Sequence, residues 1–238
     1  MLSTSTVILQ MQSISTRKML AISKLQSAPC RLVRGTKISS SRWHKLPPHT
    51  SFRHSVSLLC AFRMYLRLVG YHPWFSHHIS LRDPPLSKGE HYRALLKPGD
   101  AHEDSFQAVL EHLPEPTSLT SILSTLKQNL TTFSNAMIGE IGLDRAFRVP
   151  VNYYTTPRHL TRFTIPLEHQ LAVLEAQLDL AVEMKRNVSI HSVKSQQATI
   201  QLLDSQREKY GAEKWNTISV DMHSCGLSVE SWRDLEVR

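Results

Sequence analysis

Acidic side chains are missing from the first third of this chain. Residues 1–82 contain no Asp or Glu and twelve Lys or Arg, so the formal charge of +8 over 238 residues belongs to that end. The rest carries sixteen basic against twenty acidic residues, a net charge of −4. A basic footprint for nucleic acid spread along the whole chain is therefore excluded. Cysteine is scarce as well: Cys30, Cys60 and Cys225 are too few and too far apart for a disulfide framework, and no Cys-x-x-Cys pair offers a zinc knuckle or redox site. A reducing compartment follows. No run of eighteen apolar residues occurs, and the longest apolar-leaning stretch, 56–70, is broken by Arg63 and Arg67, which excludes a membrane-spanning helix. The hydrophobic content of 41 % is that of an ordinary globular chain and excludes collagen-like and coiled-coil readings.

Residues 1–60 are rich in Ser, Thr, Arg and Lys, the composition of a mitochondrial transit peptide. The acid-free stretch is longer than most presequences, however, and residues 43–54 show no helical period. We read 1–65 as a disordered or atypical extension. A phosphate-binding arm is a weaker option, because aromatic residues at a stacking interval are lacking. The expected compartment is cytoplasmic or nuclear, with mitochondrial import as the alternative.

From residue 66 onward short apolar runs alternate with longer amphipathic ones, the pattern of β-α units around a parallel sheet. Residues 66–71 read as a strand that delivers His72, and 117–129 as a helix with Leu119, Ile122, Leu123 and Leu126 on one face. Residues 135–144 read as a buried strand with an acidic tip. Pro166 opens a helix over 167–186, where Leu167, Leu171, Leu174, Leu178, Ala181 and Val182 repeat at helical spacing and Lys185 and Arg186 suit the last turn. A strand over 187–191, a helix over 195–210 stopped by Gly211, and a strand over 217–223 follow. Residues 81–103 and 145–165 hold Pro and no sustained period, and read as loops inserted over one face. His77 and His78 read as loop surface, and Cys225 as a buried or spectator thiol.

In a β/α barrel the carboxyl ends of the strands converge on one mouth. Glu140, His191 and His223 stand at equivalent strand ends, with His72 as a fourth. A carboxylate with two imidazoles suits a divalent transition metal, and open positions on such an ion can activate water. Thirteen histidines also make a chance arrangement common, so spacing alone leaves both readings open.

The segments Gly139-Glu140-Ile141-Gly142-Leu143-Asp144, Ile190-His191-Ser192 and Met222-His223-Ser224-Cys225-Gly226, preceded by Gly70-Tyr71-His72-Pro73-Trp74, together resemble the TatD-related metal-dependent deoxyribonucleases. The wording around His72 and His191 is similar to the fungal branch, described as interactors of an anaphase-promoting-complex subunit. The resemblance spans about two thirds of the chain. It implies an α/β fold, a TIM-like (β/α) barrel occupying residues 66–238, and hydrolysis of DNA phosphodiesters with magnesium, manganese or zinc. It gives Glu140, His191 and His223 as metal ligands, Asp144 as their support and His72 as a group near the substrate. It also implies what is missing. The family's first strand ends in His-x-His and its last supplies an Asp; neither is found, and Val193 stands where bacterial members often carry Arg. The expectation is a barrel lacking its first and last strands, truncated at both ends, with doubtful activity. A catalytically silent interaction protein linked to cell-cycle ubiquitination is the alternative, with no membrane partner and no cofactor beyond the metal.

Overall fold

A computed structural model describes residues 32–33, 67–230 and 232–233. The extension expected over 1–65 lies outside the described residues except for Leu32–Val33, which forms a short strand, β1. The other strands are β2 (Leu68–Val69), β3 (Ile79–Ser80), β4 (Thr117–Ser118), β5 (Met137–Asp144), β6 (Val188–Val193) and β7 (Val220–His223). The helices are α1 (Lys88–Leu96), α2 (Glu103–His112), α3 (Leu119–Thr132), α4 (Leu167–Met184) and α5 (Gln196–Trp215), with 3-10 turns at Pro73–His78 and Asp100–His102. The main sheet runs β1-β7-β6-β5-β2; all its pairs are parallel except the antiparallel β1–β7 pair. A second pair, β3 and β4, is also parallel. This is the strand-helix alternation expected from sequence, and the described strands form part of a TIM-like barrel. Among the described residues no helix is long and apolar enough to cross a membrane.

Strands β6 and β7 each have an apolar and a polar side because successive side chains point to opposite faces. Val188 and Ile190 of β6 and Met222 of β7 join Ile138, Ile141 and Leu143 of β5 in the main core. Their alternates, Ser189, His191, Asp221 and His223, face the other way. Helix α4 seals the apolar side with Val173, Leu174, Leu178, Ala181 and Val182, all nearly inaccessible. Fully burying one such Leu is worth about 1.5–3 kcal/mol. The same helix buries Gln170 and Gln177, one heptad apart, and their amides clasp strand ends. The backbone N–H of Asp144 donates to Gln170 Oε1 at 2.8 Å, and that of Tyr71 to Gln177 Oε1 at 2.8 Å.

Several expectations need correction. Residues 81–103 are not a plain loop: α1 forms there on a Ser87/Glu90 capping box. Its inward residues are His91, Tyr92 and Leu96, too polar a set to register as an apolar period. Residues 145–165 do lack helix and extended strand, holding only a bridge between Pro150 and Leu160. The two segments pack together: Tyr92, Leu96, Phe106, Val109 and Leu113 meet Val149, Phe163 and Ile165 in a second core. Gly211, with φ 72°, stops the helix where expected, but a second short helix follows directly to Trp215, so α5 is two helices across a kink. Arg186 caps a different helix from the one expected, donating to the Leu130 and Ser134 carbonyls at the end of α3. His77 and His78 lie in a 3-10 turn rather than on loop surface, and His77 is fully buried.

One glycine of β5 is dictated by β6. Gly142 has φ 146°, and a Cβ there would lie 1.9 Å from the His191 carbonyl oxygen. Neither the dihedral nor the contact tolerates a side chain. Gly142→Ala is expected to destabilise the protein by on the order of 2–4 kcal/mol. Denaturant unfolding checks this, and an unchanged midpoint would contradict it.

Candidate metal centre

The strand registers bring the candidate residues together. His191 is the in-register partner of His223 across β6 and β7, and of Gly142 across β5 and β6. Between Ile138 and Ile141 the β5 register slips relative to β6, a bulge that contains Glu140. Bulges of this kind re-aim a side chain beside a functional site. Glu140 consequently meets His191 of the neighbouring β6, His223 of β7 beyond it, and His72 just after β2. Its Oε1 is in direct contact with His223 Nε2 and lies 4.0 Å from His191 Nδ1, while Oε2 is 3.8 Å from His72 Nε2. Donor atoms of His72, Glu140 and His191 all fall within 4.8 Å of one another.

Hydrogen bonds behind the rings decide which nitrogens carry protons. His191 Nε2 lies 3.2 Å from Asp144 Oδ2. A carboxylate only accepts, so this nitrogen carries the proton and Nδ1 keeps its lone pair. Ser189 Oγ donates to Asp221 Oδ2 at 3.0 Å, and is then left to accept from His223 Nδ1 at 3.1 Å. His223 Nε2 therefore keeps its lone pair too. His191 Nδ1 is buried without a hydrogen-bond partner, and His223 Nε2, also buried, lies against Glu140 Oε1. Two lone pairs converging on one carboxylate repel it unless a proton or a metal cation lies among them. The donor set of one carboxylate and two imidazoles fits a divalent cation.

His72 is arranged differently. Its Nδ1 accepts from the Trp74 backbone N–H at 3.1 Å, which places the ring proton on Nε2, facing Glu140. Burial, reinforced by the neighbouring His191, holds its pKa down to about 3, so the ring is neutral. It presents a donor to the site, not a ligand lone pair.

Burial pushes the Glu140 carboxyl upward, but the contact with His223 and the nearby His72 and His191 rings outweigh it and hold the group below its ordinary value. Asp144 is also held low: burial opposes ionisation, while hydrogen bonds from His191, Trp74 and the Ala146 N–H favour it. Trp74 Nε1 donates to Asp144 Oδ2 at 2.6 Å, and the Ala146 and Phe147 N–H groups reach Oδ1 at 2.8 and 2.9 Å. Asp144 thus ties His191 to the loop after β5. Trp74 and Phe147 stack, with centroids 5.2 Å apart and planes 14° from parallel, forming an aromatic wall beside the histidines.

All five residues singled out from sequence, His72, Glu140, Asp144, His191 and His223, meet at this one place. Trp74, Ser189 and Asp221 were not singled out. A signal existed for the last two: each stands two residues before a candidate histidine on a strand and so shares its face. Cys225 takes no part; its thiol lies 3.8 Å from the Met222 carbonyl, and burial pushes its pKa up.

Comparison with known proteins places nearly the whole chain in a family. A family model described as TatD related DNase matches residues 10–235. Cut9-interacting protein scn1 of Schizosaccharomyces pombe is 36 % identical over 157 residues, which is 61 % of this chain and 44 % of that protein. A protein of Saccharomyces cerevisiae described as an uncharacterized deoxyribonuclease is 34 % identical over 131 residues, 52 % of this chain and 39 % of that one. The chain spans less than half the length of these curated relatives. No solved structure matches. With the family model covering nearly the whole chain and both relatives fungal, the chain belongs to the TatD-related DNase family, metal-dependent hydrolases built on a TIM-like barrel.

Proposed function

We propose that Glu140, His191 and His223 hold a divalent cation, magnesium, manganese or zinc, and that the chain hydrolyses phosphodiester bonds of DNA. The observation that carries this reading is the pair of buried imidazole lone pairs, each backed by a hydrogen-bond partner and both turned toward Glu140. A bound cation supplies Lewis acidity and a water acidic enough to attack near neutral pH. The chain's own groups do the rest. Asp144 and Ser189 keep the two rings in the tautomer that offers a lone pair inward. His72, neutral and donating from Nε2, is placed to hydrogen-bond a non-bridging phosphate oxygen. Trp74 and Phe147 close one side of the site to water.

A second reading rests on the name of the fission-yeast relative, a Cut9-interacting protein. In that case the chain serves as a binding partner within the cell-cycle ubiquitination machinery, and the histidine cluster is structural. The two readings separate in one experiment on the full chain. Titration calorimetry with Mn²⁺ and a DNA-cleavage assay with Mn²⁺ against EDTA are expected to show cation binding and EDTA-sensitive cleavage. Absence of both, with stable capture of an anaphase-promoting-complex subunit, would favour the second reading.

A further inference from the structure

Two polar groups beside the cluster, the buried Ser189 and the half-buried Asp221, belong to no motif singled out from the sequence. They are in-register partners on β6 and β7, and each shares a strand face with the histidine two residues further on. Ser189 is 5 % exposed, and its hydroxyl lies 3.0 Å from Asp221 Oδ2 and 3.1 Å from His223 Nδ1. A hydroxyl has one proton to give. The carboxylate can only accept, so it takes that proton, and the serine oxygen must accept from the imidazole. The order Asp221–Ser189–His223 is therefore a directed chain of hydrogen bonds that fixes His223 with hydrogen on Nδ1 and a lone pair on Nε2.

We propose that Ser189 and Asp221 are positioning residues for the candidate metal ligand His223, an inference that rests on the metal-centre reading above. The hydroxyl alone could serve either tautomer, because it can rotate to give or to accept. The Asp221 carboxylate removes that choice. Gly139 on the neighbouring β5 leaves room for this side chain, since a Cβ there would come within 2.9 Å of Ser189 Cβ. His191 reaches the same end by a shorter route, bonding Asp144 directly. The site thus has two imidazoles whose outward nitrogens each donate toward a carboxylate, one directly and one through a serine. Asp221→Asn is informative because an amide can donate. It frees the serine to give its proton to His223 Nδ1, which moves the ring proton to Nε2 and turns a donor toward the cation, as an Asp→Asn change does to a histidine in a catalytic triad.

The test is titration calorimetry with Mn²⁺ on the full chain, paired with thermal melting in EDTA. Ser189→Ala and Asp221→Asn are each expected to weaken Mn²⁺ binding by about 10–100-fold, the range for groups that orient a ligand. The melting midpoint in EDTA is expected to stay close to that of the native chain. The double variant is expected to bind no more weakly than the weaker single one, since both changes break the same chain; a purely structural role would not produce this non-additivity. If His223→Ala weakens binding while both single variants stay within twofold of native, the positioning role is overturned and the metal reading survives. If His223→Ala itself leaves Mn²⁺ affinity unchanged, the metal reading fails and takes the proposal with it. Should Ser189→Ala not fold, Asp221→Asn decides alone.

Discussion

Replacing Glu140 with glutamine is expected to reduce divalent-cation affinity by more than about 10²-fold and to abolish EDTA-sensitive DNA cleavage. Losing a group that merely orients a ligand costs about 10–100-fold, and Glu140 is placed to touch the cation itself. Its carboxylate is the negative charge on which His191 Nδ1, His223 Nε2 and the His72 ring converge. Glutamine keeps the shape and one acceptor oxygen but loses the charge, and its NH₂ offers donors to nitrogens that need an acceptor role. Without the cation the same substitution should leave the fold intact. Burial opposes ionisation of Glu140, but the surrounding histidines outweigh it, so a neutral side chain forfeits a modest net stabilisation. The melting midpoint in EDTA should therefore fall slightly, while the loss of cation affinity is far larger. Mn²⁺ calorimetry and cleavage assays on the variant check this; native-like cation binding by Glu140→Gln would remove the metal centre from the argument.

Acid is expected to start destabilising the protein below about pH 6.5, before its carboxylates titrate. His77 is fully buried and its pKa is pushed well below the ordinary imidazole value by burial, then by His78, His169 and His91. His78 is held down to about 3 by burial and His91, its Nε2 sealed from solvent without a partner. Burial lowers His169 as well, although its hydrogen bond to the Ser76 carbonyl opposes this. Such a group is neutral in both states above an unfolded pKa of about 6.5, so nothing is lost there. Below that value the unfolded chain takes up a proton that the native chain refuses. Each histidine then costs about 1.4 kcal/mol per pH unit until its folded pKa is reached. His77 and His78 together imply a slope near 3 kcal/mol per unit, and His169 steepens it. Between pH 6.5 and 4.5 that slope removes about 6 kcal/mol, a large share of a total stability of about 5–15 kcal/mol. Denaturant midpoints measured in EDTA at pH 7.5, 6.5 and 5.5 test this. Stability should be level over the first interval and fall over the second, and His78→Leu should flatten that fall by about 1.4 kcal/mol per unit. A flat response down to pH 5.5 would contradict the burial of these rings.

The histidine turn shows where sequence reading ran short. His77 and His78 look like surface because neighbouring polar residues usually are. They are buried because α1 and α4 close over the turn: His91 Nε2 lies 2.9 Å from the His77 carbonyl, and His169 Nε2 lies 2.8 Å from that of Ser76. Those contacts join residues 14 and 93 positions apart, and no local pattern reports them. The same holds for α1, whose inward residues are aromatic and polar and acquire a core only when the segment after β5 packs on them.

Much else was legible. Period-two and helical patterns located β5, β6, β7, α3 and α4, because those elements bury an apolar face along their length and the periodicity is the imprint of that burial. The same grammar put Asp144 and His223 at strand ends and His72 just past β2, whereas Glu140 and His191, expected at strand ends, lie within β5 and β6. Sequence alone thus determined which residues stand at the mouth of the sheet. Only the tertiary structure decided how each ring is held, because that depends on which groups face its two nitrogens. That is settled by partners on other strands: Asp144 behind His191, Ser189 and Asp221 behind His223, and the Trp74 N–H at His72. Strand register and the β5 bulge bring them within hydrogen-bond reach, and both come from how strands pair in space rather than from the order of residues along any one of them.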